Sequence, residues 1–174
     1  MVVFELRQAE PFELAPREDC HVVRITSLGE LKRYSRGWLE GFVSRRTLQK
    51  WGLSILLRRG YLFFGLDAGR CVNYTYSAPA RQAAFGRLLD PDAHGIGPMA
   101  TAESHRGRGL SPHVMRWAIN YLIEHRQIAH FYIATRPENQ ASMRALGKVG
   151  FLEVGTCEYE YRLHPKLCHI ARWI

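Results

Sequence analysis

The stretch Ser104-His105-Arg106-Gly107-Arg108-Gly109-Leu110-Ser111 constrains this chain more than any other. Two glycines alternate with two arginines directly ahead of an amphipathic run. Glycine has no Cβ, so the backbone there can turn tightly and come close to a ligand. A helix starting at this point leaves its first N–H groups without intrahelical acceptors. Those groups, with the helix dipole, favour an anion by roughly 0.3–2 kcal/mol. The arginines add charged, fork-shaped donors that match phosphate oxygens. The stretch therefore predicts a cradle for a diphosphate.

Bulk properties narrow the class of protein but do not choose a ligand. A chain of 174 residues is long enough for a full core, and a single domain over 1–174 is expected. Hydrophobic content of 47% beside 23% charged residues reads as a soluble globular protein. No apolar run reaches the ~18 residues of a membrane span. The densest one, Leu53 to Leu66, is broken by Arg58, Arg59 and Gly60. Met1 to Glu10 carries Glu5, Arg7 and Glu10 and does not read as a leader. Cys20, Cys71, Cys157 and Cys168 form no C-x-x-C pair and read as thiols in a reducing, cytoplasmic setting. His125 and His130 are five apart, as are His164 and His169, with no cysteine or carboxylate cluster nearby, so no metal site is expected. A net charge of +8 suits a polyphosphate ligand, an acidic partner or nucleic acid alike. The basic residues are scattered, and no basic stretch interleaved with aromatics marks a nucleic-acid face. No membrane partner is expected, nucleic acid is disfavoured, and a homodimer is left open.

Local signals give a mixed α/β order. His21 to Thr26 is β-branched and apolar, a strand. Ser27-Leu28-Gly29-Glu30 reads as a capping box, followed by Leu28, Leu31, Tyr34, Trp38 and Phe42 at helical spacing. Ser44 can cap a second helix with Leu48, Trp51 and Ile55 on one face and Gly60 past its end. Tyr61 to Leu66 and Cys71 to Ser77 form a hairpin about Asp67-Ala68-Gly69-Arg70. Pro79 to His94 is irregular, with a turn at Asp90-Pro91-Asp92. Gly95 to Thr101 reads as a central strand delivering the chain to the glycine turn. Leu110, Val114, Trp117, Ala118 and Tyr121 form the stripe of the next helix, where Pro112 fits only in the first turn. Ile128 to Thr135 is a strand, Asn139 to Val149 a helix ended by Gly150, and Phe151 to Leu163 a closing strand. Residues 164–174 read as a tail.

Two of these segments resemble a known family. Arg106-Gly107-Arg108-Gly109 fits the opening of the R-x-x-G-x-G/A signature of the GNAT N-acetyltransferase superfamily. Asn139-Gln140-Ala141-Ser142, followed by Lys148-Val149-Gly150-Phe151, is similar to its later N-x-x-S/A and K-x-G-F motif. The resemblance covers 95–163 well and 20–94 only as an order of elements. It implies a central mixed sheet of about six or seven strands with splayed central parallel strands and about four flanking helices. It also implies acetyl-CoA as cofactor, without metal, and direct transfer of acetyl to a primary amine of an unidentified acceptor. Under it, Arg106, Gly107, Arg108, Gly109, Leu110 and Ser111 hold the CoA diphosphate, and Met99, Ala100 and Thr101 lie along the pantetheine arm. Asn139 sits by the thioester, with Ser142 and Lys148 beside the cofactor. The first two helices and the loops beside the central strands would set the acceptor.

Three departures bear on activity. Ser111 replaces the final Gly or Ala, Pro112 removes a donor, and Leu146 stands where many members carry a tyrosine acid seven residues after the Asn. The missing acid matters less than a base would. Deprotonating a lysine-like amine at pH 7 costs about 4.6 kcal/mol, against about 2 for letting the thiol leave as thiolate without an acid. His94 is the candidate base, with Asp92 beside it; a surface histidine and a turn aspartate are the plainer reading. Tyr74, Tyr76 and Tyr132 are candidates for the acid, or ordinary strand aromatics. Cys157 reads as core rather than nucleophile, and Glu103 as solvated. Arg116 and Arg144 suit the cofactor 3′-phosphate or a solvated helix face equally. Two further readings remain open: an acyl-CoA-binding sensor or scaffold without catalysis, and a basic nucleic-acid-binding domain.

Overall fold

The computed structural model describes residues 1–36, 39, 43–82, 90, 92–161 and 169–173, the last five and 159–161 as backbone only. Trp38, Phe42, Cys168 and residues 83–89 and 91 of the 79–94 loop lie outside the described residues. The strands are β1 (Val2–Arg7), β2 (His21–Ile25), β3 (Tyr61–Asp67), β4 (Arg70–Pro79), β5 (His94–Thr101), β6 (His130–Thr135), β7 (Leu152–Tyr161) and β8 (His169–Trp173). The described helices are α1 (Leu28–Ser35), α2 (Arg45–Leu56), α3 (Leu110–Arg126) and α4 (Gln140–Val149). The sheet order is β2-β3-β4-β5-β6-β1-β7-β8, so the mixed α/β class holds. Two strands exceed the expectation: β1, and β8 inside the segment read as a tail. The chain forms two compact units, one of residues 12–78 and 97–120, the other of 1–11, 79–96 and 121–174.

In the first unit, local chemistry fixes the helix starts. Ser27 Oγ accepts the Glu30 N–H at 3.1 Å, and Glu30 Oε2 accepts the Ser27 N–H at 3.2 Å. Ser44 Oγ accepts the Thr47 N–H at 3.2 Å. β2, β3 and β4 pair antiparallel through Ile25↔Leu62 and Phe64↔Tyr74. Ala68 and Gly69 at the hairpin tip have φ of 45° and 73°, the double left-handed step that suits the twist of paired strands. Leu31, Trp51, Leu62, Phe64 and Tyr74 form the core over this sheet, with Trp51 edge-on to Tyr74 at 4.9 Å. Each such side chain contributes about 1.5–3 kcal/mol by burial. α3 comes close to β3 at Gly65, where a Cβ would stand 2.9 Å from Val114 Cγ2. Gly60 lies past the end of α2 as expected but does not cap it: the left-handed residue there is Arg58, φ 51°. Gly60 is required because a Cβ there would meet the Tyr76 hydroxyl at 2.2 Å.

In the second unit, β1 runs antiparallel between β6 and β7, with Arg7↔His130 and Val2↔Thr156 as partners. β7 pairs antiparallel with β8. β5 pairs parallel with β6 at His94↔Phe131 and Gly95↔Tyr132. Among the described residues that register ends there, ahead of Pro98, which has no N–H to give. An early end of this kind is what splayed parallel strands require. α4 starts on Asn139 and ends on Gly150 at φ 104°, whose N–H reaches the Leu146 carbonyl at 3.1 Å.

Candidate functional site

The glycine turn follows β5 in the first unit. A short 3₁₀ segment, Glu103–His105, leads into it, and α3 leaves from Leu110. Gly107 and Gly109 have φ of 80° and 74°, the left-handed region that costs an L residue roughly 1–2 kcal/mol. Nothing lies within 4 Å of a Cβ position at Gly107. The turn therefore selects glycine by conformation, and at Gly107 it leaves open space where a side chain would stand. Among the described residues, the N–H groups of Gly107, Gly109, Leu110 and Ser111 find no protein acceptor. Pro112 follows in the first turn of α3 and brings no donor. This is a run of adjacent backbone donors with arginines beside it, a donor set that fits a diphosphate.

The structure brings the expected strand and turn residues together. Arg106 Nε donates to the Thr101 carbonyl at 3.4 Å, and its guanidinium lies 3.8 Å from exposed Glu103. Ser111 Oγ donates to Met99 Sδ at 3.5 Å. Thr101 Oγ1 accepts Asn73 Nδ2 at 2.8 Å. Ala100 packs on the core beneath α1 and α2, and Leu110 is itself core, 1% exposed, so only its backbone is free for a ligand.

Two clamps on this turn were invisible in the sequence. Asp67, at the hairpin tip, holds His105 Nε2 at 3.0 Å, and His105 Nδ1 is 2.8 Å from Ser104 Oγ. Arg17 Nη2 donates to the Arg108 carbonyl at 3.1 Å while its fork grips Asp19 at 2.9 and 2.8 Å. Those bonds raise the arginine's pKa and lower that of Asp19. The partners are up to 91 residues apart, and no spacing rule connects them.

The remaining expected residues belong to the second unit. Asn139 is exposed; its Oδ1 accepts the Ser142 N–H at 3.1 Å, and among the described residues its Nδ2 has no acceptor. Lys148 is exposed in the last turn of α4, where its charge suits the helix dipole. His94 is buried rather than on the surface, and burial, with Arg126 nearby, pushes its pKa down to about 4. It is neutral at pH 7, as a base must be, but weak. Leu146 is fully buried. Two of the three candidate acids are engaged elsewhere, Tyr76 with Ser54 Oγ at 2.7 Å and Tyr132 as donor to Glu5 at 2.9 Å, and the third, Tyr74, is buried, which raises its pKa. Burial, reinforced by Glu5, pushes Tyr132 up to about 12. Burial likewise raises the Cys20, Cys71 and Cys157 thiols, so none is a ready nucleophile. Among the described residues, no group of three or more histidine, cysteine or acidic side chains is arranged to hold a metal, and no helix is long and apolar enough to cross a membrane.

The sequence model of the Acetyltransferase (GNAT) family matches residues 23–151. The chain belongs to this family. No curated protein matches it in sequence. Among solved structures, the GNAT fold recurs in aminoglycoside 6'-N-acetyltransferase AAC(6')-IG from Acinetobacter haemolyticus, with TM-score 0.65 at 14% identity, covering 82% of this chain and 97% of that one. It recurs in AAC(6')-Iy, solved with the bisubstrate analogue CoA-S-monomethyl-acetylneamine, with TM-score 0.61 at 17% identity over 86% and 99%. It recurs again in a GCN5-related N-acetyltransferase from Kribbella flavida, with TM-score 0.62 at 11% identity over 87% and 53%, so the chain spans about half the length of that relative. At such identities the likeness is one of fold. Within this GNAT chain, α1 and α2 enclose a groove of about 870 Å³. Its walls include Leu28, Leu31, Leu48, Leu53 and Leu56, with Lys32 and Arg45 among them and no carboxylate among the described lining residues.

Proposed function

We propose that this chain is an acetyl-CoA-dependent N-acetyltransferase that moves acetyl directly to a primary amine. Membership of the GNAT family supports acetyl transfer in general. The observation that carries the cofactor is the glycine turn, with its left-handed Gly107 and Gly109 and its backbone N–H groups that find no protein acceptor among the described residues. When bound, acetyl-CoA supplies an acetyl group activated as a thioester. In this reading Gly107 to Ser111 bind the diphosphate through main-chain donors, and Arg106 and Arg108 add charge. Met99, Ala100 and Thr101 align the arm; Asn139 Nδ2 serves the acyl end, with Ser142 and Lys148 beside the cofactor. Orientation alone supplies much of the rate, since well-placed reactants reach effective concentrations on the order of 10⁵–10⁸ M. His94, proposed from the sequence as the base, is too weak at a pKa of about 4 to draw a proton from an ammonium efficiently. In this reading that proton leaves to solvent.

The acceptor class follows from α1 and α2, which set it in the resembling family. The AAC(6') relatives are named for aminoglycosides, which are polycations. In this reading the α1–α2 groove takes the acceptor, and its leucine walls with Lys32 and Arg45 disfavour a polycation and suit an amine with apolar and anionic parts. Calorimetry with CoA, followed by a free-thiol assay on amines of both kinds, tests the whole reading. Micromolar CoA binding with turnover on anionic or apolar amines supports it, and no CoA binding refutes it.

A second reading, an acyl-CoA-binding sensor or scaffold, is favoured by Leu146. That position is sealed in the core, so the usual acid is absent and has no place there. Tight CoA binding with no thiol release on any amine would establish this reading in place of catalysis.

A further inference from the structure

We propose that Arg17 is a positioning residue of the cofactor cradle, aiming the Gly109 N–H by holding the carbonyl of the same peptide group; this rests on the cofactor reading above.

A peptide group is planar and trans, so its C=O and N–H point in opposite directions. The Arg108 carbonyl and the Gly109 N–H share one such group. Arg17 Nη2 holds that carbonyl at 3.1 Å, which turns the N–H away from Arg17. Glycine makes the hold necessary. Gly109 at φ 74° accepts negative φ about as readily, so the peptide ahead of it flips at low cost unless something fixes it. A cation on the carbonyl also polarises the peptide and strengthens its N–H as a donor.

The guanidinium is not there by chance of a long side chain. Asp19 grips it through Nε and Nη2, which fixes its plane. Nη1 stands 3.7 Å from the Cβ position that Gly109 leaves empty. Only about a quarter of the Arg17 side chain is exposed, at 27%. The backbone leading to it is tied to α3. The Phe12 N–H and carbonyl each bond the Asn120 side chain at 2.7 Å, and Arg116 stacks over the Phe12 ring at 5.3 Å. Five extended residues from Phe12 to Arg17 span about 17 Å, the same length as the eleven helical residues from Asn120 back to Gly109. The segment is thus a strap laid along α3, hung at Asn120 and latched at the glycine turn.

The test compares CoA with pantetheine, which lacks the diphosphate, by NMR titration of wild type and Arg17→Met. The expected result is about a tenfold loss of CoA affinity, pantetheine affinity unchanged within twofold, and a shifted Gly109 amide resonance. Equal CoA affinity in the two proteins, or a parallel loss for both ligands, overturns the inference. If Arg17→Met does not fold, Arg17→Lys, which keeps the charge and loses the fork, must show the same loss confined to CoA. Wild type that binds no CoA refutes the cofactor reading itself, whereas wild-type binding with no effect at Arg17 refutes only the latch.

Discussion

Asp67 holds His105 across 38 residues of sequence, Oδ2 to Nε2 at 3.0 Å, and so ties the entrance of the glycine turn to the β3–β4 hairpin. A carboxylate can only accept, so Nε2 carries the proton. Asp67→Ala leaves that N–H unpaired in a site where His105 is 17% exposed. The expected outcome is a loss of about 1 kcal/mol in urea unfolding and CoA binding several-fold weaker. Asp67→Asn keeps an acceptor and should recover most of the stability.

The two glycines of the turn make a second prediction. Gly109→Val places a β-branched side chain at φ 74°, and CoA affinity is expected to fall at least tenfold, about 1.4 kcal/mol or more. Gly109→Asn tolerates that backbone and should bind better than Val. Equal affinities for the two variants would detach the site from this backbone conformation. Calorimetry decides.

Features set by neighbours in sequence were legible; those set by distant contacts were not. Ser27, Ser44, Asn139 and Gly150 act through groups three or four residues away, so the helix ends could be read directly. The hairpin at Asp67–Arg70 is equally local. The six apolar-rich residues of β1 carry no local sign of their partners, which lie in β6 and β7. Arg17 and Asp67 gain their roles through contacts 91 and 38 residues away. Gly60 looked like a helix stop and is instead a close contact with Tyr76. The burial of His94 depends on packing that no turn signal reports.

That burial predicts an acid-sensitive fold. The pKa of His94 falls from 6.5 to about 4 on folding, so the unfolded chain takes the proton first. Stability therefore drops as pH is lowered from about 6.5 towards 4, by about 3 kcal/mol in all, and this group contributes nothing further below that. Hydrogen bonds to Glu5 outweigh its desolvation, and hydrogen bonds to Asp90 from the Asp92 N–H and His130 act likewise. Both carboxyls are held low, and their contribution is lost at still lower pH. Urea unfolding from pH 7 to 4 should show the slope, and His94→Gln should flatten it. The same variant should retain at least a third of any turnover, since His94 is a poor base.

Asn139 joins a structural role to a proposed chemical one, and two variants separate them. Asn139→Ala removes the cap on Ser142 and should cost about 1 kcal/mol along with turnover. Asn139→Ser keeps a capping oxygen but loses Nδ2. It should restore stability without restoring turnover; full activity in the serine variant would reduce Asn139 to a cap.

Leu146→Tyr asks whether the family's usual acid can be put back. Leu146 is 0% exposed, so a tyrosine there must fit a ring and a hydroxyl into packed core. Overpacking of this kind costs about 1–3 kcal/mol, and an unpaired buried hydroxyl adds about 1–3 more. The hydroxyl would also enter a site that solvent does not reach. The expected outcome is a protein at least 2 kcal/mol less stable in urea, with turnover no higher than wild type. A rise in turnover at unchanged stability would show that the α4 helix can present this side chain to the reaction.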